Sequence, residues 1–317
     1  SICPNICKNK IINAAKKLGI KVVPYGAISK GLQGKQLSEM YDMYNSGSLA
    51  FSDNMSPVKH AGLFSRAVLY AKNFNGLIIS FPYDNSIVPN GQISEGIVST
   101  QLGLEGIPDL SEEIMLNRDL SINKYHQGKL HFNIISSKKS VDTIKDAKNN
   151  QSTISCGTSI YHLLFDDQQL DGFNAQFKIL PPFRRKLDRD ALLEGVKNGV
   201  IDVITSYHQP NEEEVNNVEF SIAPFGIIGT QITFPLALTY LLDYLGLEKI
   251  IQCMSINPRT ILQCEVPIIK EGHKVDITLF DPNKKWTYNK ENNNSKSENT
   301  PLFCTELKWF VHGTLIG

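Results

Sequence analysis

Short apolar runs alternate along this chain with longer segments in which apolar residues recur every three or four positions. Seven runs predict strands: Lys21–Tyr25 (KVVPY), Ser48–Phe51, Leu77–Phe81 (LIISF), Lys129–Ile134, Thr153–Cys156, Ala175–Ile179 and Ile201–Thr205 (IDVIT). They are brief and are separated by polar or turn-forming residues. The intervening segments have helical period. Lys35–Asn45 places Leu37, Met40 and Tyr44 at spacings of three and four, and Leu63–Asn73 puts Leu63, Ala67, Val68 and Ala71 on one face. A helix is predicted to open at Ser111-Glu112-Glu113, with Ser111 as N-cap and acids in the first turn, where they complement the unpaired N–H groups and the helix dipole. Further helices are predicted over Val141–Ala147, Arg189–Asn198 (stopped by Gly199), Thr233–Tyr244, Leu247–Met254 and Pro258–Leu262.

This alternation implies a parallel sheet with helices packed outside it. Seven predicted strands precede Ser206, whereas a closed barrel of this kind has eight. Either the sheet is open or one strand lies before Ser1; the chain begins in mid-element, which favours the second. The tail has a different pattern. Asp276–Phe280, Trp286–Tyr288, Leu307–Val311 and Thr314–Ile316 predict short strands with no helix between them, and Asn289–Glu298 (NKENNNSKSE) reads as a mobile polar loop. The expected organisation is a barrel over 1–264, lacking its first strand, and a small β unit over 265–317.

Composition narrows the function. Hydrophobic residues make up 41%, enough for a large core, and Lys+Arg and Asp+Glu are both 32. A formal net charge of zero argues against a nucleic-acid partner, which requires a basic field, and leaves a protein partner open. No run of about 18 apolar residues suggests a membrane span, and Ser1-Ile2-Cys3-Pro4 does not open a signal peptide. Six cysteines, Cys3, Cys7, Cys156, Cys253, Cys264 and Cys304, are scattered; only Cys3 and Cys7 are close, and nothing completes a zinc site with them. Loose thiols in a long chain fit a reducing cytoplasm.

Many segments in order resemble the dihydroorotases of the larger, multifunctional-complex type, members of the metal-dependent amidohydrolases. They include Gly26–Gly34 (GAISKGLQG) with Glu39-Met40, Ala50–Asp53 (AFSD) with Pro57-Val58, Glu95-Gly96 behind Ser94 (where the family has Asn), and Leu102–Pro108 (LGLEGIP). Pro181–Arg184 (PPFR), Ala223–Gly229 (APFGIIG), Pro235–Thr239 (PLALT), Asn257-Pro258, Asp276–Pro282 (DITLFDP) and Ser295–Pro301 (SKSENTP) follow. The resemblance runs from Lys10 to Gly317. It implies an α/β fold, a TIM-like (β/α)8 barrel, with a small β-sandwich built from both chain ends. It also implies that the N-terminal sandwich strands and a first barrel strand bearing a His-x-His pair are missing from this chain.

In the resembled family two divalent metals, usually zinc, sit at the C-terminal ends of the strands and activate a water that opens a cyclic amide. Asp53 matches a turn in which an Asp is a ligand, although Asn54 replaces the second Asp; equally, Asp53 caps a turn. Phe81 and Ile134 stand where ligand histidines are expected, and neither side chain has a donor atom. His131, three residues before Ile134, reads as a satisfied core histidine. Ser206–Asn211 (SYHQPN) replaces a Thr-Asp-His-Ala-Pro-His pattern, so Tyr207 occupies the place of the Asp that is both ligand and proton shuttle; a phenol with a pKa of about 10 is a poor base near neutrality. His208 remains. On the substrate side, Leu180 takes the place of an Asn, and Phe177 and Phe183 add apolar bulk. Ala223, Pro224, Phe225 and Gly226 are substrate-proximal by resemblance.

Asp53 and His208 are thus vestigial metal candidates, and neither a metal cofactor nor a catalytic residue is expected. The reading that follows is a non-catalytic pseudo-dihydroorotase of pyrimidine biosynthesis, cytoplasmic and homo-oligomeric, supporting assembly with aspartate carbamoyltransferase. One alternative is an active cyclic-amide hydrolase with a reduced zinc site built on Asp53, His208 and N-terminal donors. Another is a binding or sensing module that keeps a pocket at the Ala223–Gly229 loop, where glycines allow close backbone approach.

Overall fold

In the computed structural model, residues 22–150, 153–212, 214 and 218–316 are described. The core of the molecule is a parallel sheet of five strands: β1 (Ala50–Phe51), β2 (Leu77–Ser80), β5 (Lys129–Phe132), β6 (Ile154–Ser159) and β7 (Val203–Thr205), in the order β1-β2-β5-β6-β7. Register is set by pairs such as Ile78↔Leu130, Phe132↔Cys156 and Thr158↔Ile204. Two short strands, β3 (Ile93–Ser94) and β4 (Gly106–Ile107), form a separate parallel pair that the apolar pattern does not announce. The helices are α1 (Met40–Asn45), α2 (Ala61–Lys72), α3 (Ile97–Leu102), α4 (Leu110–His126), α5 (Lys138–Asn150), α6 (Ile160–Leu164), α7 (Lys186–Lys197), α8 (Thr233–Tyr240), α9 (Leu242–Leu245), α10 (Leu247–Ile251) and α11 (Asn257–Ile261).

Successive side chains on a strand point to opposite faces, and the burial follows that rule on both sides of the sheet. Ile78, Leu130 and Phe132 pack outward with Phe64, Ala67, Leu116 and Leu120 of the helical layer. Ala50, Leu77 and Ile79 face the other way, onto Ile261 and Leu262. His131 is buried, and its Nδ1 lies 2.8 Å from Ser155 Oγ on the neighbouring strand.

Several predicted elements are corrected. Val22–Tyr25 form no regular strand, and Lys21 lies outside the described residues; the chain there joins the sheet only through a parallel bridge from Gly26 to Phe51. The helix expected from Lys35 begins at Met40, because the preceding residues are tied into a bridge between Ser29 and Leu37. Ala175–Ile179 is not a strand. Asn174 caps a 3-10 turn over Ala175–Phe177 by accepting a hydrogen bond from Gln176 N at 3.0 Å. Ser111 is not an N-cap: α4 starts at Leu110 with Asp109 at the cap position, and the Ser111 hydroxyl is buried inside the first turn without a partner. Gly199 does stop α7's segment, at φ 77°.

The tail forms two long antiparallel strands, β8 (Asp276–Tyr288) and β9 (Thr305–Ile316), where four short ones were expected. Shifts of register at Leu279/Phe280 and Asp281/Lys285 interrupt the ladder and break up the apolar pattern. The inner end of this ribbon (Tyr288, Leu307 and the neighbouring Leu302) belongs to the main core. The polar loop between the strands is held rather than loose: Asn289 and Asn292 bond each other's backbone amides, and Asn294 N donates to Gln231 Oε1. No described helix is long and apolar enough to cross a membrane.

A buried polar joint fixes the loop after β5. Glu112 in α4, only 1% exposed, accepts from Ser136 N at 3.0 Å, from Ser136 Oγ and from Ser137 N at 3.3 Å. Arg184 donates to the same Ser136 Oγ and to Ile107 O. Each of these donors and acceptors is costly to bury unpaired. Glu112→Ala is therefore expected to cost about 3 kcal/mol of stability, because it leaves the buried Ser136 and Ser137 donors without their acceptor. Urea unfolding measures this; a loss below about 0.5 kcal/mol, the range of neutral surface changes, contradicts it.

Candidate functional site

The C-terminal ends of β1, β2, β5 and β7 bring together the positions singled out in the sequence. Phe81 follows β2 directly and is 4% exposed. It packs with Tyr83, Ile107, Met55 and Leu180, its ring 5.9 Å from that of Tyr83. Ile134, two residues beyond β5, is buried in the main core together with Tyr207. Tyr207, just past β7, sits at φ 49°, a conformation uncommon outside glycine. Its phenol donates to Leu180 O at 2.7 Å and accepts from Leu180 N at 3.0 Å. Burial raises the phenol's pKa above its ordinary value, against a smaller opposing effect of the Leu180 bond.

His162, unremarked in the sequence, lies beside this joint. Its ring is 6.4 Å from Tyr207 and 5.5 Å from Phe183. Nε2 lies 3.0 Å from Pro181 O, which can only accept, so Nε2 carries the proton; Nδ1, 2.7 Å from Ser159 Oγ, accepts from that hydroxyl. Phe165 contacts Phe177 and Phe183 edge-on at 5.3 and 5.8 Å, extending an aromatic wall from the Phe183 ring.

The two candidate donors are turned to other work. Asp53 is 3% exposed; its Oδ1 accepts from Ile28 N at 2.8 Å and Ser29 N at 2.9 Å, and its Oδ2 accepts from Ser29 Oγ. It fastens the Gly26–Gly34 turn to β1. His208 Nδ1 accepts from Gly229 N at 3.1 Å, and burial lowers its pKa. The resemblance loop is fastened too. Gly226 N donates to Lys178 O at 2.9 Å, and the buried Asn299 donates from Nδ2 to Gln209 O and Gly226 O at 2.8 and 3.0 Å. Gly226 has φ 143°, and a Cβ there would meet Gln209 O at 2.9 Å, so the position requires glycine.

Little space remains among these groups. A void of about 10 Å³ lies between Asp53, Phe81 and Arg118, scarcely one water. A separate cleft of about 260 Å³ is bordered by Tyr25, Ala27, Ile79, Ser52, Asn54 and Asn133, with no carboxylate or imidazole.

The sequence profile of the family described as dihydro-orotase-like matches residues 6–140. The chain is 35% identical to the dihydroorotase of Acetivibrio thermocellus, covering 98% of this chain and 75% of that protein. It is 37% identical to the dihydroorotase of Aquifex aeolicus over 97% of this chain and 73% of the relative. The chain belongs to the dihydroorotase family. Its fold matches that of the L-hydantoinase (dihydropyrimidinase) from Arthrobacter aurescens with a TM-score of 0.81 at 17% identity, over 97% of this chain and 72% of that one. A D-hydantoinase matches with a TM-score of 0.77 at 16% identity. The architecture is accordingly the (β/α) barrel of the amidohydrolases, with the parallel sheet as its wall.

A dihydroorotase-type metal pair does not fit the residues present. Each metal needs several His or carboxylate donors converging from different strands. Among the described residues no three His, Cys, Asp or Glu side chains converge in that way. Phe81 and Ile134 offer no lone pair, the Tyr207 oxygen is engaged by Leu180, and Asp53 and His208 are spent on backbone amides. His162 escaped the sequence because nothing in its neighbourhood marks it. The motif containing Asn299 was visible, but its partners are 73 and 90 residues away.

Two expectations follow. Tyr207→Phe leaves the Leu180 N–H and C=O without their shared partner and is expected to lower stability by about 1–3 kcal/mol; an unchanged urea midpoint would argue that the joint carries no weight. His131 and His162 are both held down to about 4, from an ordinary 6.5, chiefly by burial. The unfolded chain therefore binds more protons between pH 6.5 and 4, and stability falls as pH drops through that window. Asp119, pushed up to about 6 by burial against the pull of Arg118, takes up a proton in the folded state and offsets part of the fall. The urea midpoint at pH 4.5 is expected to lie below that at pH 7; equal midpoints would contradict this assignment.

Proposed function

We propose that this dihydroorotase-family chain acts in de novo pyrimidine biosynthesis without catalysing the hydrolytic step, as a structural partner of aspartate carbamoyltransferase. The observation that carries the reading is the closure at the barrel mouth. Phe81, Ile134 and Tyr207, from three different strands, fill the positions of two expected ligands and of the proton shuttle with buried groups. Tyr207 is additionally locked to Leu180. Packing of this kind removes unpaired polar atoms and voids from the interior, and among the described residues no three His, Cys, Asp or Glu side chains converge to hold a cation. The outer helices and tail retain the family's pattern, as expected of a chain kept for its shape. Homo-oligomerisation and a cytoplasmic location belong to the same proposal.

A second reading has its own support in the 35–37% identity to proteins named dihydroorotase over nearly the whole chain. Under it, a single zinc ion would draw on Asp53 and on His208, each released from the backbone amides it now binds, together with donors from outside the described residues, and the barrel would hydrolyse a cyclic amide.

Metal content and turnover decide between them. The purified protein is expected to hold less than about 0.1 equivalent of zinc, manganese, iron or cobalt. It is also expected to show no interconversion of dihydroorotate and carbamoyl aspartate, with or without added metal. Activity restored by metal titration and abolished in His208→Ala would overturn the proposal in favour of the second reading. Co-purification with aspartate carbamoyltransferase in fixed stoichiometry tests the assembly role; failure of the two proteins to associate at micromolar concentration would remove it.

A further inference from the structure

Lys178 is 2% exposed, yet no carboxylate lies within ion-pair distance of it among the described residues. A buried ammonium without a counter-ion has to find its compensation in dipoles. Here Nζ donates to Phe220 O at 2.7 Å and Ala223 O at 2.8 Å, with a longer approach to Ser221 O at 3.4 Å, and to Gln92 Oε1 beside β3. The rings of Phe220 and Phe225 stand 5.0 and 4.9 Å from the same nitrogen, within cation–π range. The backbone of Lys178 completes the grip, its carbonyl accepting from Gly226 N at 2.9 Å. One residue therefore holds both ends of Phe220–Gly226, the side chain at 220–223 and the main chain at 226. It stands two positions before Leu180, which is bonded to Tyr207.

We propose that Lys178 is the positioning residue that seats the Phe220–Gly226 segment on the barrel mouth, its ammonium acting as a central pin for backbone carbonyls and two aromatic faces. Ile222 N and Ala223 N both donate to Glu219 O, just before the segment, and the ammonium ties the Phe220 and Ala223 carbonyls of that turn to one point. The pin thereby joins the turn to the rest of the mouth. It operates whether or not the mouth performs chemistry, and its test uses neither metal nor turnover, so its failure is distinguishable from failure of the proposed function.

The experiment is amide hydrogen exchange on the whole protein, comparing wild type with Lys178→Met, which keeps an unbranched apolar stem one atom shorter and removes the ammonium. Exchange at Ile222 and Ala223 is expected to accelerate by about tenfold or more. Gly226 N, held by the Lys178 carbonyl, and Ile228 N, held by Asn299 O, are expected to change by less than about threefold. Unchanged exchange at Ile222 and Ala223 would overturn the proposal, as would uniform acceleration from 220 to 229, which marks general loosening. Should Lys178→Met fail to fold, competitive acylation of wild-type lysines provides a separate measurement. Lys178 is expected to react at least about tenfold more slowly than exposed Lys186 and Lys270, and equal reactivity would show that the cage does not form.

Discussion

The phenol of Tyr207, held between the amide and the carbonyl of one residue, is the joint on which the barrel mouth depends. A single hydroxyl satisfies both backbone groups of Leu180 and fixes that segment above β7. Leu180 in turn packs on Phe81 and Ile107, so the end of β2 and the β3–β4 pair register against the same point. His162 completes the joint by binding Pro181 O, one residue further on. Where relatives are expected to gather charge around an ion, this chain gathers hydrocarbon around one neutral hydrogen-bonded oxygen. The energetic logic follows: cohesion at this joint comes from area removed from water and paired dipoles.

The polar groups that remain in the interior hold loops in place. Asp53 fastens the Gly26–Gly34 turn, Glu112 the start of α5, Asn299 the two strands of the mouth loop, and Lys178 the turn beyond it. Each binds main-chain atoms, and each is almost wholly shielded from water, where such bonds are strong and their absence is expensive. A buried carboxylate can be kept for this reason alone, and Asp53 illustrates it.

The barrel wall was legible in the sequence because its strands are short apolar runs with helical segments between them, as at Leu77–Phe81 and Leu63–Asn73. Ala175–Ile179 misled, since an apolar run of that length cannot be told from a buried turn by periodicity, and the Asn174 cap that decides the matter is a side-chain bond. The β3–β4 pair escaped because two residues per strand make no period. At the site, the resemblance could say that Phe81, Ile134 and Tyr207 have the wrong chemistry for ligands. It could not say what they do instead, because the answers lie in residues far away along the chain: Tyr207 with Leu180, 27 residues earlier, and Asn299 with Gly226.

The β8–β9 ribbon has a bearing on biogenesis. Its inner residues Tyr288 and Leu307 are part of the same core as Phe51 and Phe132, and Gln263 pairs with Asn75 across 188 positions. A ribosome would release most of the barrel wall long before the chain segment that finishes its packing. Contacts so distant in sequence slow the search for the native state, and the half-built wall would meanwhile expose apolar surface open to aggregation. For such a polypeptide, synthesis in the presence of a chaperone or of an early-binding companion subunit is a physical advantage in itself.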